Sequence, residues 1–302
     1  MTIKLFYYIM SCSESSSGSL PIFSIMNIAL TKTLPRGTHP MRIPMKKLSQ
    51  FQRLHSGLEA SLAHNHACLT ENNPVLMAGH AGLLSREQAA AAIGQYYFLV
   101  LEIVALLTIT KDRLADWPKV GAELTRNIGE EEGSRTQGLA HRDILKRCLK
   151  RELGFTGLGR YRSPATSTFL NCFKTALLDQ EPAYAAGMVY ALEAASANPE
   201  LEILAKILNA YGQLAGLGHV VDEAAWQTNQ LAAIRAKHAR SYTLTEFIYI
   251  HLVDFEKGHK SGLWKALSSR PWTEAECAEF ARGFEQCLNL MDTWWMGLAR
   301  NH

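Results

Sequence analysis

The sequence predicts an all-α fold, a single-domain helical bundle in which sites sit between facing helices. Two observations carry that expectation. From Lys46 onward Ala, Leu, Glu, Gln, Lys and Arg dominate. Alternation of β-branched with polar residues, the signature of a half-buried strand, is nearly absent. The chain has 302 residues, 47% hydrophobic and 20% charged, with a formal net charge of +3. That composition excludes collagen-like, low-complexity and wholly disordered chains. The small positive balance is not that of a nucleic-acid binder, which would cluster its basic residues. No uncharged apolar run approaches the ~18 residues of a membrane span, so no membrane partner is expected. Six cysteines, Cys12, Cys68, Cys148, Cys172, Cys277 and Cys287, are scattered without a C-x-x-C pair. They read as free thiols of a reducing, cytoplasmic compartment and not as a disulfide framework.

Residues 1–44 differ from the rest. A serine-rich stretch runs from Cys12 to Ser19, and Pro21, Pro35, Pro40 and Pro44 punctuate the residues after it. The apolar start, Leu5 to Met10, is shorter than a signal-peptide core of ~7–15 residues. The segment reads either as a flexible leader or as an upstream extension, with Met41 and Met45 as later starts. Residues 45–302 are expected to form one all-helical domain.

Within that domain Phe51, Leu54, Leu58 and Leu62 recur at helical spacing. Ser85-Arg86-Glu87-Gln88 is a capping box that opens a long helix through Tyr96, Leu99, Glu102 and Leu106. A third helix is expected from Trp117 through Arg126 toward Gly129, its continuation carrying His141, Leu145 and Cys148. Ser163-Pro164 and Glu181-Pro182 each start a helix, because proline fits the first turn. Asn198-Pro199 breaks the second of these, and Glu200 to Gln213 comes after it. Helices around 222–239 and 243–267 come next, and Pro271 opens the last one, ending near Arg300.

Glu102 lies in the run Tyr96-Tyr97-Phe98-Leu99-Val100-Leu101-Glu102-Ile103-Val104-Ala105-Leu106-Leu107. A helix so apolar on every side is expected to be buried, and its one carboxylate with it. A buried carboxylate must be protonated, paired or metal-bound. Glu193 repeats the pattern within Met188 to Ser196. His251 and His259 lie on one helix, eight residues and about 800° of rotation apart, so their rings diverge by about 80°. Glu256 and His259 have the Glu-x-x-His spacing of di-iron carboxylate bundles. The acidic run Glu130-Glu131-Glu132 sits between Gly129 and Gly133, with His141 beyond it. Such a run is ordinarily a solvated face, but here one Glu can turn inward while its neighbours stay wet.

Taken in order, Glu102, Arg126-Asn127-Ile128…Glu131, His141, Ala191-Leu192-Glu193 and His251…Glu256-x-x-His259 resemble the haem-oxygenase-like dimetal oxidases. That family is related in fold to the thiaminase-like TenA proteins and includes CADD-like proteins. The resemblance spans residues 46–300. It implies Glu102, Glu131, His141, Glu193, His251, Glu256 and His259 as metal ligands, two Fe(II) ions as cofactors and O2 as co-substrate. It further implies N-oxygenation, desaturation or carbon–carbon cleavage of a small amino-acid-derived or fatty-acid-like substrate, in natural-product biosynthesis. The expected partners are that small molecule and, as an oligomer, a homodimer.

One departure concerns the last motif. Four residues separate His251 from the acid, where the family has three, and the acid is Glu256 in place of Asp. In a straight α-helix His251 and Glu256 would diverge by about 140°. A one-residue π-bulge near Leu252–Phe255 restores convergence; otherwise Asp254 substitutes, or a ligand is missing. Glu130 or Glu132 can likewise stand in for Glu131. Three other readings use different residues. A metal-free thiaminase-like hydrolase needs a reactive cysteine, for which Cys172 is the candidate. A haem protein needs a proximal ligand such as His64 or His66. A non-catalytic interaction protein would dock through Trp294-Trp295-Met296. Tyr96, Tyr97, Tyr190 and Tyr249 are pocket-lining candidates, and Arg126 or Arg162 could clamp a substrate carboxylate.

Overall fold

The computed structural model describes residues 50–300, apart from 82, 84, 156–161, 197–199 and 216–227. The leader expected at residues 1–44 and the break expected at Asn198-Pro199 lie outside the described residues. Those described form helices and their connections, with no strand. In chain order the helices are α1 (Gln50–Asn72), α2 (Pro74–His80), α3 (Arg86–Arg113), α4 (Pro118–Glu131), α5 (His141–Leu153) and α6 (Pro164–Asp179). They continue with α7 (Pro182–Ala195), α8 (Leu201–Ala215), α9 (Thr228–Ala236), α10 (Leu244–Ile250), α11 (Glu256–Leu267) and α12 (Glu274–Arg300).

Capping chemistry sets several of these starts. At α3 the Gln88 amide donates to Ser85 Oγ at 3.2 Å, and Ser85 N–H donates to Gln88 Oε1 at 2.8 Å. Ser163 caps α6 ahead of Pro164, and Pro182 opens α7. Thr243 and Glu246 make a second reciprocal box at α10. The last helix begins at Glu274 rather than at Pro271, with the Glu276 amide donating to Thr273 Oγ1.

α7 is the axis of the bundle. Every residue from Ala183 to Ala195 is buried, Glu193 included. Its partners are α12 along its length, then α1, α3, α6 and α11. The crossing with α12 brings backbones together: a Cβ on Gly187 would lie 2.0 Å from the Phe280 carbonyl oxygen, and one on Gly283 would lie 2.1 Å from that of Tyr184. Small residues there let a polar side chain further along α7 reach the middle of the molecule.

α3 crosses the opposite side of the site and packs on α4, α5, α6, α7 and α8. By length and composition its Glu87–Arg113 segment could cross a membrane, contrary to the expectation from uncharged runs, but 56% of its most apolar window is buried against these helices.

The expected continuation of α4 to His141 does not occur. α4 stops at Glu131, and residues 132–140 turn the chain before α5 starts at His141. Gly133 makes the turn, with φ of +103°; a Cβ there would lie 2.6 Å from the Leu139 amide nitrogen. Helix α5 therefore points its first residue back at the end of α4. Between α10 and α11 the helix continues through one π-helical stretch, His251–Phe255. The bulge expected from the spacing is present at that place.

Candidate metal centre

Six of the seven residues implied as ligands meet in one buried cluster. The turn after α4 sets His141 Nδ1 3.1 Å from Glu131 Oε2, and His251 Nε2 lies 3.0 Å from the same His141 nitrogen. Across from them, His259 Nδ1 is 3.2 Å from Glu193 Oε2 and 3.5 Å from Glu256 Oε2. Glu131, Glu256 and His259 bring one donor atom each within 4.8 Å of one another, joining the two halves. All six side chains are buried.

The π-helical stretch makes this possible. It absorbs the extra residue between His251 and Glu256, so that both face the cluster along with His259. Asp254, the alternative acid, points away and pairs with Arg135 and Arg235, each at 2.8 Å. The acidic run divides in a related way. Glu131 pairs with His141, and Glu132 lies at the surface with Arg142 at 2.6 Å. Glu130 turns inward as well: its Oε2 is 3.1 Å from His259 Nε2, on the face of the ring opposite Glu193.

Glu102 is not in the cluster. Its side chain is about one-third exposed (36%) and lies 3.6 Å from Arg162. Near Glu102, α3 turns a face outward, with Leu101 and Ala105 exposed as well. The apolar run hid this face, since apolar residues on both sides of an acid carry no periodicity that says which side is covered. We expect Glu102→Gln to leave metal affinity unchanged in a Mn(II) titration and to shift stability by no more than about 1 kcal/mol.

The supports of the cluster are polar. Asn127 Nδ2–H donates to Glu193 Oε1 at 3.3 Å. Arg126 holds Glu130, Glu123 and the Asn127 side-chain carbonyl together, and Arg135 reaches Glu130 at 3.4 Å. Arg126 is thus tied to three side chains of its own helix, with over a third of its surface exposed. His251 Nδ1–H donates to the Phe247 carbonyl at 2.6 Å, which leaves Nε2 as the nitrogen that presents a lone pair. If a cation is taken by His259 Nδ1, its Nε2–H donates to Glu130, the carboxylate–histidine arrangement that orients metal-binding imidazoles. The sequence marks Glu130 only as a stand-in for Glu131 and Asn127 only as part of the Arg126-Asn127-Ile128 motif, so neither supporting role is legible there.

Electrostatics shows what the cluster lacks. Burial alone would raise Glu131, yet the neighbouring histidines, His141 foremost, bring it down to about 2. Glu130 is likewise lowered to about 2 against its burial, by His259, Arg126 and Arg135. Burial and the negative charges of Glu193 and Glu131 raise Glu256 to about 7, although His259 opposes the rise. His251 falls to about 3 because it is buried beside His141. Burial would lower His259, but the carboxylates of Glu193, Glu130 and Glu256 hold it well above its ordinary value. An imidazolium and a proton on Glu256 therefore stand where cations would neutralise the acids. The donors are carboxylate oxygens and imidazole nitrogens with no thiolate among them, a set that fits iron or manganese.

A cavity of about 20 Å3 opens beside the donors, lined by Tyr96, Leu99, Val100 and Ile103 of α3 facing Glu131, Glu193, Ser196, His251 and Glu256. It fits one water-sized molecule and not a macrocycle. The other sequence candidates lie elsewhere. Cys172 is exposed on α6, His64 is exposed, and the His66 side chain lies outside the described residues. Trp294 and Trp295 are core residues with only Met296 of that trio exposed, so the trio is no docking face. Of the four candidate tyrosines Tyr96 alone borders the cavity; Tyr190 faces His55 and Glu59, each at 3.4 Å.

Glu200, unremarkable in the sequence as an acid just after a proline, is fully buried. Burial raises it to about 8, with Glu256 adding to the rise; Trp295 and Ser196 pull the other way. Neither of its oxygens closes a hydrogen bond, and neither does Trp295 Nε1.

An all-α bundle with a buried carboxylate–histidine cluster at its centre, built from α4, α5, α7 and the α10–α11 pair, is the class these features define. Residues 52–217 match the model of a family described as a domain of unknown function with a solved structure, DUF3865, and the chain belongs to that family. Two crystal structures of a CADD-like protein of unknown function from Nostoc punctiforme share the fold. One, at 2.00 Å resolution, is 28% identical with a TM-score of 0.67, covering 83% of this chain and 98% of its own. The other, at 1.35 Å resolution, is 27% identical with a TM-score of 0.65, covering 83% and 95%. No curated protein matches the chain.

Proposed function

We propose that this protein is a non-haem di-iron oxidase or oxygenase that uses O2 on a small amino-acid-derived or fatty-acid-like substrate. One observation carries the reading: six acid and imidazole side chains, far apart in the chain, converge in the core with too little positive charge to answer them. Burying several carboxylates unanswered costs several kcal/mol per ion, and divalent cations offset that cost. Glu131, His141 and His251 would hold one ion, and Glu193, Glu256 and His259 the other. Two ferrous ions supply electrons and open positions for dioxygen. The chain's own residues do the rest. Phe247 fixes the tautomer of His251, Glu130 that of His259, and Asn127 the rotamer of Glu193. Leu99, Val100 and Ile103 wall the cavity with hydrocarbon and keep bulk water from the donors. N-oxygenation, desaturation and carbon–carbon cleavage are all compatible with such a site.

Anaerobic Fe(II) titration is expected to give about two irons per chain, and admission of O2 with an amino-acid or fatty-acid panel should then show substrate-dependent oxygen uptake. Saturation with no iron bound would end the reading. The affinity also depends on pH. Glu256, raised to about 7, is half protonated at neutral pH and His259, held well above its ordinary value, is protonated there, so a cation must displace these protons. Affinity should rise with pH, toward about a hundredfold per unit well below pH 7, where both protons are displaced, and flatten to about tenfold per unit above it, where only that of His259 remains; calorimetry in buffers of different ionisation enthalpy reads that release.

A further inference from the structure

Among the buried acids of the described residues, Glu200 alone has no ion pair and no hydrogen bond of ordinary length, with Trp295 and Ser196 as its nearest polar neighbours. Glu130, Glu131, Glu193 and Glu256 each lie within 3.5 Å of a histidine or arginine nitrogen, although three of them share His259. An acid buried with neither oxygen closing a hydrogen bond is destabilising, and a leucine or methionine would pack the same space without that cost. The place of Glu200 suggests what it is kept for. Ser196, its neighbour, borders the small cavity together with Glu131, Glu193, His251 and Glu256, and Trp295 Nε1 on its other side is also without a partner. Glu200 therefore neighbours a residue of the cavity wall, Ser196, and feels the charge of Glu256 on that wall.

Resting on the two-metal reading above, we propose that Glu200 is a carboxylate ligand held in reserve, which turns past Ser196 when the cations load and takes a coordination position beside Glu256. It fills the place among the carboxylates that Glu102, paired with Arg162 at the edge of the bundle, does not. Such a ligand leaves the metal-free core uncrowded and completes the donor set only once positive charge is there to draw it in.

The test is a Mn(II) titration of the wild-type chain, Glu200→Gln and Glu200→Leu, followed by calorimetry, electron paramagnetic resonance and thermal unfolding with and without metal. The wild type is expected to bind two Mn(II). Both variants should keep or raise the metal-free Tm, since each removes an unanswered acid, while losing at least about tenfold in affinity for one ion, with an altered resonance spectrum. The metal-induced rise in Tm should shrink to match. If either variant binds both ions with wild-type affinity and an unchanged spectrum, Glu200 is a structural acid and the proposal is overturned. A wild-type chain that binds no Mn(II) or Fe(II) would instead overturn the two-metal reading, so the two failures are distinct.

Discussion

His259→Ala is expected to lower metal affinity more than 100-fold and to destabilise the metal-free protein by about 3–5 kcal/mol. No other side chain does as much in the cluster. Its ring stands between Glu193 and Glu256 on one side and Glu130 on the other, at 3.2, 3.5 and 3.1 Å. Removing it deletes a donor to the cation and, without metal, the imidazolium that lies between those acids. The acids must then take up protons to stay buried, so their folded pKa values rise above the unfolded ones. Stability from such groups is present at low pH and lost as pH rises. The gap between variant and wild type should thus be wide at pH 7 and narrow near pH 4.5, as read by urea unfolding at both values. Equal metal affinity, or a gap that widens in acid, would contradict this role for His259.

Deleting Val253 is expected to leave metal binding intact, the second large and less intuitive result. The π-helical stretch His251–Phe255 accommodates one residue more than an α-helix would. Without Val253 the motif becomes His-x-x-x-Glu-x-x-His. In an α-helix those three residues lie within about 60° of one another, so a regular helix presents the same donors that the bulge now presents. Asp254 keeps a position from which it can reach Arg135 and Arg235, its present partners. Restoring a regular helix should also raise Tm. Removing a residue from within α11 instead, such as Lys257, breaks the Glu-x-x-His spacing and should abolish binding. If the Val253 deletion loses metal while its helix content, read by circular dichroism, is unchanged, the bulge does more than restore register.

Much of this was legible in residues. Helix starts at Ser85, Ser163-Pro164, Pro182 and Thr243 carry their chemistry locally, in a hydroxyl, a ring or a carboxylate three positions on. The bulge was legible as an arithmetic mismatch between His251 and Glu256. The turn after α4 was not: its signal, Gly133, is common in helices too, and only its positive φ reveals the turn. Glu102 misled because an apolar run without periodicity hides which face meets water. Glu130 and Glu131 are adjacent and both buried, since Arg126 and Arg135 answer the first and His141 the second. That sorting depends on side chains arriving from other parts of the chain. Glu200 looks like a solvated first-turn acid until α12 sets Trp295 beside it.

The most direct test is anomalous diffraction from crystals grown anaerobically with Fe(II), collected on both sides of the iron edge. Two iron peaks are predicted in the core, one among Glu131, His141 and His251 and the other among Glu193, Glu256 and His259. Crystals soaked at saturating iron that show those six side chains closed on one another, with no anomalous density between them, would contradict the two-metal centre.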